Sequence, residues 1–242
     1  MKAFLKGLLA IGILASLQGA PANIGFWQNT PGGGPPALIT HTGTGGGING
    51  VTSSSINTTG ANLLVVAVSW YSGITANGTI SDSKSNTWSA LTESTSTSNN
   101  VSCQLFYCYG ATVGSGHTFT YNGTSIYASI CVEAFSNVAA SPFDHENGAG
   151  SANATTIQPG SITPSQAHSI IVSAFSFGAN SSGTISVDSS LTITDTAAYV
   201  TATSEGLSMS YNILSSASAT NPTWTSQFIT NVLASRVADF KY

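Results

Sequence analysis

Short runs in which apolar and polar positions alternate cover most of this chain from residue 61 onward, and they predict β-strands. One run, LLVVAVSWY (63–71), is apolar almost throughout, which is typical of a central strand covered on both faces. Apart from the N-terminal segment, no part of the sequence keeps a helical period. The pattern predicts an all-β protein, with strands in 63–71, 87–93, 104–110, 117–121, 126–135, 169–177, 191–199, 206–214, 222–226 and 228–240.

This strand pattern occurs twice along the chain. The segment ANLLVVAVSWYSG (61–73) recurs as AHSIIVSAFSFGAN (167–180), and ICVEAF (130–135) corresponds to SRVADF (235–240) at nearly the same offset. Four short strands cannot close a core alone, so two copies are expected to face each other. The sequence therefore predicts a two-sheet antiparallel sandwich of the jelly-roll or concanavalin-like type, built from two pseudo-repeated four-strand halves.

The predicted sandwich is a single domain spanning residues 61–242. Its halves are expected at about 61–137 and 167–242, joined by a crossover at 138–166 that contains one further strand near Ala154–Ile162. Chains of this length commonly form one large β-sandwich.

Two regions precede the domain. Residues 23–60 are rich in Gly and Pro and predict an extended arm that lies along the sandwich or reaches a neighbouring subunit, with short edge strands at 37–40 and 50–56; a flexible linker is the alternative. In residues 1–22, two lysines precede an apolar stretch, which is typical of a secretory signal or of a retained anchor. Membrane contact is expected only if residues 1–20 are retained.

Charged residues are scarce: they make up 6% of the chain, and the net charge is −4. Ser, Thr, Asn and Gly take the positions that Lys and Glu usually occupy, so we expect a neutral, hydroxyl-rich surface. Such surfaces suit extracellular coats, appendages and virions, where subunits pack without strong charge repulsion. Binding to a phosphate backbone requires clustered Lys and Arg side chains. The sequence has no such cluster, which argues against nucleic-acid binding.

Several phrases of the sequence resemble a known group of proteins. They are NLLVVAVSWY (62–71), SDSKSNTWSAL (81–91), YGATVGSGHTFTY (109–121), VEAFSNVAASPFD (132–144) and PGSITPSQ (159–166). Together they resemble a loose group of uncharacterised jelly-roll sandwich proteins, found among bacteriophage structural proteins and secreted bacterial proteins. The resemblance covers about residues 60–242. It implies a fold and a setting, and it carries over no catalytic residue.

One carboxylate is a candidate for acid–base chemistry. Glu133 lies within the hydrophobic strand CVEAF, where burial raises the pKa of a carboxyl group. Sandwich-fold glycosidases place two carboxylates about 5 to 9 Å apart on one sheet. The second copy has Ala238 at the aligned position, and the neighbouring Asp239 is expected to face the other side, so no partner acid is predicted.

Two polar segments are candidates for ion binding or for turns. FDHENG (143–148) concentrates Asp144, His145, Glu146 and Asn147, a set that could hold calcium or a transition metal. Asp144 and Glu146 form the candidate metal site, with a solvated polar loop as the alternative. SDSKSN (81–86) predicts a hairpin turn with Asx hydrogen bonds from Asp82 and Asn86. No cofactor is expected.

Aromatic and sulfur-containing residues leave two further alternatives open. Trp70, Trp88 and Trp224 could stack on sugar rings, although core or subunit packing is the commoner role of tryptophan. Cys103 and Cys131 could form a disulfide if their strands lie side by side; otherwise the three cysteines of the chain are small buried hydrophobic residues.

These observations favour a non-enzymatic structural protein of an extracellular assembly. The leading hypothesis is a phage virion component, such as a capsid decoration or tail-associated subunit, on the virion surface or secreted. Its partners would be copies of itself or other virion or appendage subunits. The alternative is a secreted carbohydrate-binding, lectin-like module that binds surface glycans, and the third hypothesis is a glycoside hydrolase-like enzyme that uses Glu133.

Overall fold

The computed structural model of the 242-residue chain describes residues 34–71, 78–98, 100–123, 127–178, 184–227 and 231–242. These residues form an all-β, sandwich-like architecture without a helix. It follows that nowhere in the described ranges is a helix long and apolar enough to cross a membrane. The predicted signal or anchor at 1–22 and the beginning of the predicted arm lie outside the described residues.

The strands, in chain order, are β1 (Ala37–Gly45), β2 (Val51–Thr52), β3 (Leu63–Trp70), β4 (Ile80–Asp82), β5 (Ser89–Ala90), β6 (Ser94–Thr95), β7 (Ser102–Tyr109), β8 (Phe119–Tyr121), β9 (Ser129–Ser136), β10 (Phe143–Ala154), β11 (Thr156–Ile157), β12 (Ile170–Phe177), β13 (Ile185–Val187), β14 (Thr192–Ala197), β15 (Gly206–Ile213), β16 (Trp224–Ser226) and β17 (Asn231–Phe240).

The strands form two large and two small antiparallel sheets. In the first large sheet the order is β1-β9-β3-β7-β5, and β6 also pairs with β7. The second large sheet has the order β10-β17-β12-β15-β14. The small sheets have the orders β2-β8-β4 and β11-β16-β13. Every strand pair in these sheets is antiparallel.

The central strands are buried on both faces, which accounts for their nearly continuous apolar sequences. All eight residues of β3 and all eight of β12 are buried. Alternate side chains point to opposite faces of a strand. On β3, Leu63 and Val65 therefore join the core between the two large sheets, while Leu64 and Val66 pack beneath the first small sheet. The sheets are stacked in the order small, large, large, small.

Edge strands of the two large sheets approach each other closely, and glycine makes this possible. A Cβ atom added at Gly43 on β1 would lie 2.8 Å from the Cβ of Asp195 on β14. On the opposite side, a Cβ added at Gly150 on β10 would overlap the backbone carbonyl of Thr95 on β6. Each large sheet thus brings a glycine-bearing edge strand against the other sheet.

Two regions differ from what the sequence predicted. FDHENG begins β10, which pairs with β17 as an edge strand, so this segment is not the loop that its polarity suggested. β1 extends from Ala37 to Gly45 and pairs with β9 along its length, so the sheet begins inside the predicted arm. Both strands are polar because an edge strand next to solvent needs few apolar side chains.

Candidate functional site

Two of the three candidate glycan-binding tryptophans lie in the core. Trp70 is 1% exposed and stacks on Tyr121, and Trp224 is fully buried and stacks on Phe175 at a centroid distance of 5.4 Å. Neither ring has a face available to a sugar in this structure. Trp88 is partly exposed, and its Nε1 donates a 2.7 Å hydrogen bond to Asp82. The structure therefore does not bring the three rings together on one surface.

All three cysteines are buried free thiols. Cys103 on β7 and Cys131 on β9 lie on either side of β3, opposite Ser69 and Ala67 respectively. Two strand spacings separate such residues by about 9.6 Å, which exceeds the ~7 Å limit for a disulfide. Burial raises the pKa of Cys103 to about 11, so its thiol is not reactive at neutral pH.

Glu133 is buried completely between the two large sheets. Its Oε1 accepts a 2.8 Å hydrogen bond from Thr194 of β14, while Oε2 has no partner. Burial, reinforced by the charge of Asp195, raises the pKa of Glu133 to about 8. The side chain is therefore protonated at neutral pH. Because it has no exposed surface, a substrate cannot reach it from solvent.

Glu146, one of the two predicted metal ligands, is engaged in an ion pair. The Arg236 guanidinium donates from Nη2 to Glu146 and from Nη1 to Ser94 of β6 at 3.1 Å. Thr92 donates to the same carboxylate from its backbone N–H and its hydroxyl. This network joins β10 and β17 to the opposite sheet, and it directs Glu146 towards Arg236, whereas Asp144 lies in a different cluster.

Asp144, the other predicted ligand, lies beside His145, a potential ligand of the same segment, and beside Asp239, which was not predicted to join it. His145 Nδ1 lies 3.3 Å from an oxygen of Asp144 and 3.3 Å from an oxygen of Asp239 on β17. One ligand atom from each of these three residues lies within 4.8 Å of the others. Asp239 is fully buried, and its Oδ2 has no hydrogen-bond partner.

A bulge in β10 creates this cluster. The pairing with β17 shifts between Phe143 and Glu146, so one residue of β10 has no direct partner. In a regular strand Asp144 and His145 would point to opposite faces, but the shift directs both towards Asp239. Strand alternation alone could not predict this arrangement, because it depends on the irregular pairing.

A second buried polar network contains the residue types of a hydrolytic triad. His117 is fully buried; its Nδ1 lies 2.9 Å from Thr58 Oγ1, and its Nε2 lies 3.1 Å from Asp82 Oδ1. Burial lowers the pKa of His117 and keeps the ring neutral. Thr58 is also fully buried, so no substrate has access, and the network connects the loops of the first small sheet.

Asp82 organises the turn after β4 through the Asx hydrogen bonds that the sequence predicted, but this turn is not a hairpin, because β4 pairs with β8 and β5 pairs with β7. Its Oδ1 accepts the backbone N–H of Lys84 at 2.7 Å and the side-chain amide of Asn86 at 3.2 Å. Burial alone would raise the pKa of Asp82, but hydrogen bonds from Trp88 and from the Lys84 amide hold it below its usual value. The carboxylate therefore remains ionised and holds both the turn and the Trp88 ring.

Replacement of Asp82 by alanine is expected to lower the free energy of unfolding at pH 7 by about 2 kcal/mol, because Trp88 Nε1 loses its acceptor and the buried His117 loses its acidic neighbour. Urea unfolding measures the change. Asp188→Ala is the matched control: this exposed turn residue accepts hydrogen bonds from the backbone N–H of Thr223 and from the Ser189 hydroxyl. Equal losses in the two variants would contradict a special role of the buried network.

Comparisons of the chain with protein-family models, with curated proteins and with solved structures find no significant match.

Proposed function

We propose that this chain is a non-enzymatic structural protein of an extracellular assembly, a phage virion component such as a capsid decoration or tail-associated subunit. In this proposal the protein acts by packing. A rigid β-structure presents a neutral, hydroxyl-rich exterior against neighbouring subunits. The phage setting rests on the sequence resemblance and on the composition.

One observation carries the proposal: the acidic side chains are engaged within the fold. The chain has nine acidic residues, and eight of them accept hydrogen bonds from its own backbone or side chains, namely Asp82, Glu93, Glu133, Asp144, Glu146, Asp188, Asp195 and Asp239. The ninth, Glu205, is 4% exposed. Burial raises the pKa of Glu133 and Glu205 to about 8, and Glu146 pairs with Arg236. Few uncompensated charges therefore remain to repel a neighbouring copy, so close packing of many subunits costs little electrostatic free energy.

We also infer that the fold is one unit duplicated, arranged as a jelly-roll-like sandwich. The strand order β1-β9-β3-β7-β5 corresponds position by position to β10-β17-β12-β15-β14, and each large sheet carries one small sheet on its outer face. The repeated sequence segments fall on corresponding strands. Two such units with a shared apolar interior form a rigid building block, which supports a structural role.

The buried positions of the candidate catalytic groups support the non-enzymatic part of the proposal. Glu133 has no exposed surface, and neither has the Thr58–His117 pair. A hydrolase requires its acid or nucleophile to touch the substrate. The carbohydrate-binding alternative would depend on Trp88, because the rings of Trp70 and Trp224 are buried.

Purification of extracellular particles from the source culture on a density gradient tests the proposal. Peptides of this chain are expected to migrate with intact particles and to remain bound after a high-salt wash, because few ionic contacts can be screened. Recovery of the chain only from the soluble secreted fraction would overturn the proposal.

A substrate and glycan screen is the complementary test. The purified full chain is expected to release no product from a panel of polysaccharides and to bind no glycan on a broad array. Hydrolysis that disappears in Glu133→Gln would contradict the non-enzymatic assignment. Glycan binding that disappears in Trp88→Ala would favour the lectin-like alternative.

A further inference from the structure

The strongest unassigned site lies where β10 begins and β17 ends, next to the C-terminus of the chain. Asp144 and His145 are in the bulged part of β10, and Asp239 faces them from β17. We propose that these three residues bind a divalent first-row transition cation, with zinc as the ion that fits them best. The site is independent of the proposed structural function.

The separations between the ligand atoms match tetrahedral coordination. Zn–N and Zn–O bonds of about 2.0 to 2.2 Å place neighbouring tetrahedral ligands about 3.3 to 3.6 Å apart. The imidazole Nδ1 of His145 lies 3.3 Å from Asp144 Oδ2 and 3.3 Å from Asp239 Oδ1. Octahedral coordination at magnesium distances would require about 3.0 Å. Two of the three separations thus match those of a zinc site, and the ligand atoms all lie within 4.8 Å of one another.

Each carboxylate is held in place by a backbone N–H. Ser165 donates to Asp144 Oδ2 at 2.7 Å, and the His145 amide donates to Asp239 Oδ1 at 3.0 Å. A carboxylate oxygen has a second lone pair that remains available to an ion. Hydrogen bonds of this kind orient metal-binding carboxylates in known sites, so the cluster is organised before any ion binds.

The buried oxygen of Asp239 is the independent sign of a missing ligand. Asp239 is fully buried, and its Oδ2 has no hydrogen-bond partner among the residues that the structure describes. Unpaired buried carboxylate oxygens are costly. The ammonium group of Lys241 lies beside the other carboxylate, with its Nζ 4.0 Å from Asp144 Oδ1. That distance exceeds hydrogen-bonding range, so Lys241 neutralises the pair only in part.

Electrostatics support the same conclusion. Two carboxylates in one partly buried site repel each other, and a divalent cation would remove this repulsion. A proton shared between the two carboxylates is the alternative to a bound cation, and a zinc titration distinguishes these two states.

The chemistry and the accessibility of the donors select the class of ion. One imidazole nitrogen and two carboxylate oxygens suit zinc and related first-row ions, whereas calcium requires six to eight oxygen ligands. The side chain of His145 is 46% exposed, so an ion can enter and water can complete the coordination. A bound ion would join the start of β10 to the end of β17, across the edge of the second large sheet.

Isothermal titration of the untagged full chain with zinc chloride, after removal of metals with EDTA, tests the proposal. We expect one zinc ion per chain and a rise in the melting temperature with zinc concentration. His145→Ala changes an exposed side chain and should leave the fold intact while weakening zinc binding at least about tenfold. Asp239→Asn should also lose binding.

His41→Ala is the matched control. His41 forms a 2.8 Å pair with Asp195 on β14. Among the described residues this pair belongs to no group of three potential ligands, so this variant should bind zinc like the unmodified chain. Absence of zinc binding by the unmodified chain at millimolar zinc would overturn the proposal in favour of a shared proton. Unchanged binding in both His145→Ala and Asp239→Asn would also overturn it, by placing the ion elsewhere.

Discussion

Replacement of Glu133 by glutamine is expected to stabilise the protein at alkaline pH by roughly 4 kcal/mol. Burial raises the pKa of this carboxyl group from 4.5 to about 8. The folded protein therefore holds the Glu133 proton more tightly than the unfolded chain does, and the stability gained from this proton is lost as the pH rises from about 4.5 to 8. Glutamine resembles the protonated acid and still accepts the hydrogen bond from Thr194.

Urea unfolding of both proteins between pH 4.5 and 9 measures this effect. The difference in the free energy of unfolding should be small at pH 4.5 and reach its maximum above pH 8. Glu205→Gln is the matched control: burial also raises the pKa of Glu205 to about 8, so this variant should show a similar trend from a different part of the fold. A pH-independent difference for Glu133→Gln would show that the acid is not buried as described.

Replacement of Trp224 by alanine is expected to lower the free energy of unfolding by about 3 to 5 kcal/mol. The ring is fully buried beneath the second small sheet, stacks on Phe175, and donates a 2.9 Å hydrogen bond from Nε1 to Ser173. Alanine leaves a cavity and removes this donor. The loss should also weaken the attachment of β16 to β12, which hydrogen exchange would report as faster exchange in β11, β13 and β16.

Two other substitutions calibrate this effect. Trp224→Phe keeps an aromatic ring and loses the hydrogen bond, so about 1 to 2 kcal/mol is expected. Thr225→Ala changes the next residue on β16, which is partly exposed, and should change stability by no more than about 0.5 kcal/mol. A loss in Trp224→Ala no larger than in Thr225→Ala would contradict the core position of the ring.

The central strands were predicted well because their signal is local. The apolar runs at 63–71 and 169–177 correspond to β3 and β12, which are buried from end to end. Within the strand predicted at 87–93, only Ser89–Ala90 forms a strand, β5, because most of that segment has no pairing partner. The lengths of the edge strands β1 and β10 were underestimated, because polar residues and glycines give little periodic signal. These two strands form because they pair with β9 and β17.

The candidate sites were less predictable than the strands. Asp144 could be selected from the sequence, but its partner Asp239 lies far along the chain and was considered only as a possible partner of Glu133. Glu146, close to Asp144 in sequence, is directed instead to Arg236. A one-residue bulge decides which acids meet, and strand alternation cannot reveal a bulge.

By itself the sequence determined the all-β class, the approximate positions of the central strands and the scarcity of surface charge. These properties follow from composition and from the two-residue period of each strand, which act locally. Only the tertiary structure decided the burial of Trp70, Trp224 and Glu133 and the meeting of Asp144, His145 and Asp239. Burial and side-chain contacts depend on how distant strands pair and how the sheets stack. Pairing and stacking depend on interactions between residues far apart in the sequence, which a local pattern does not contain.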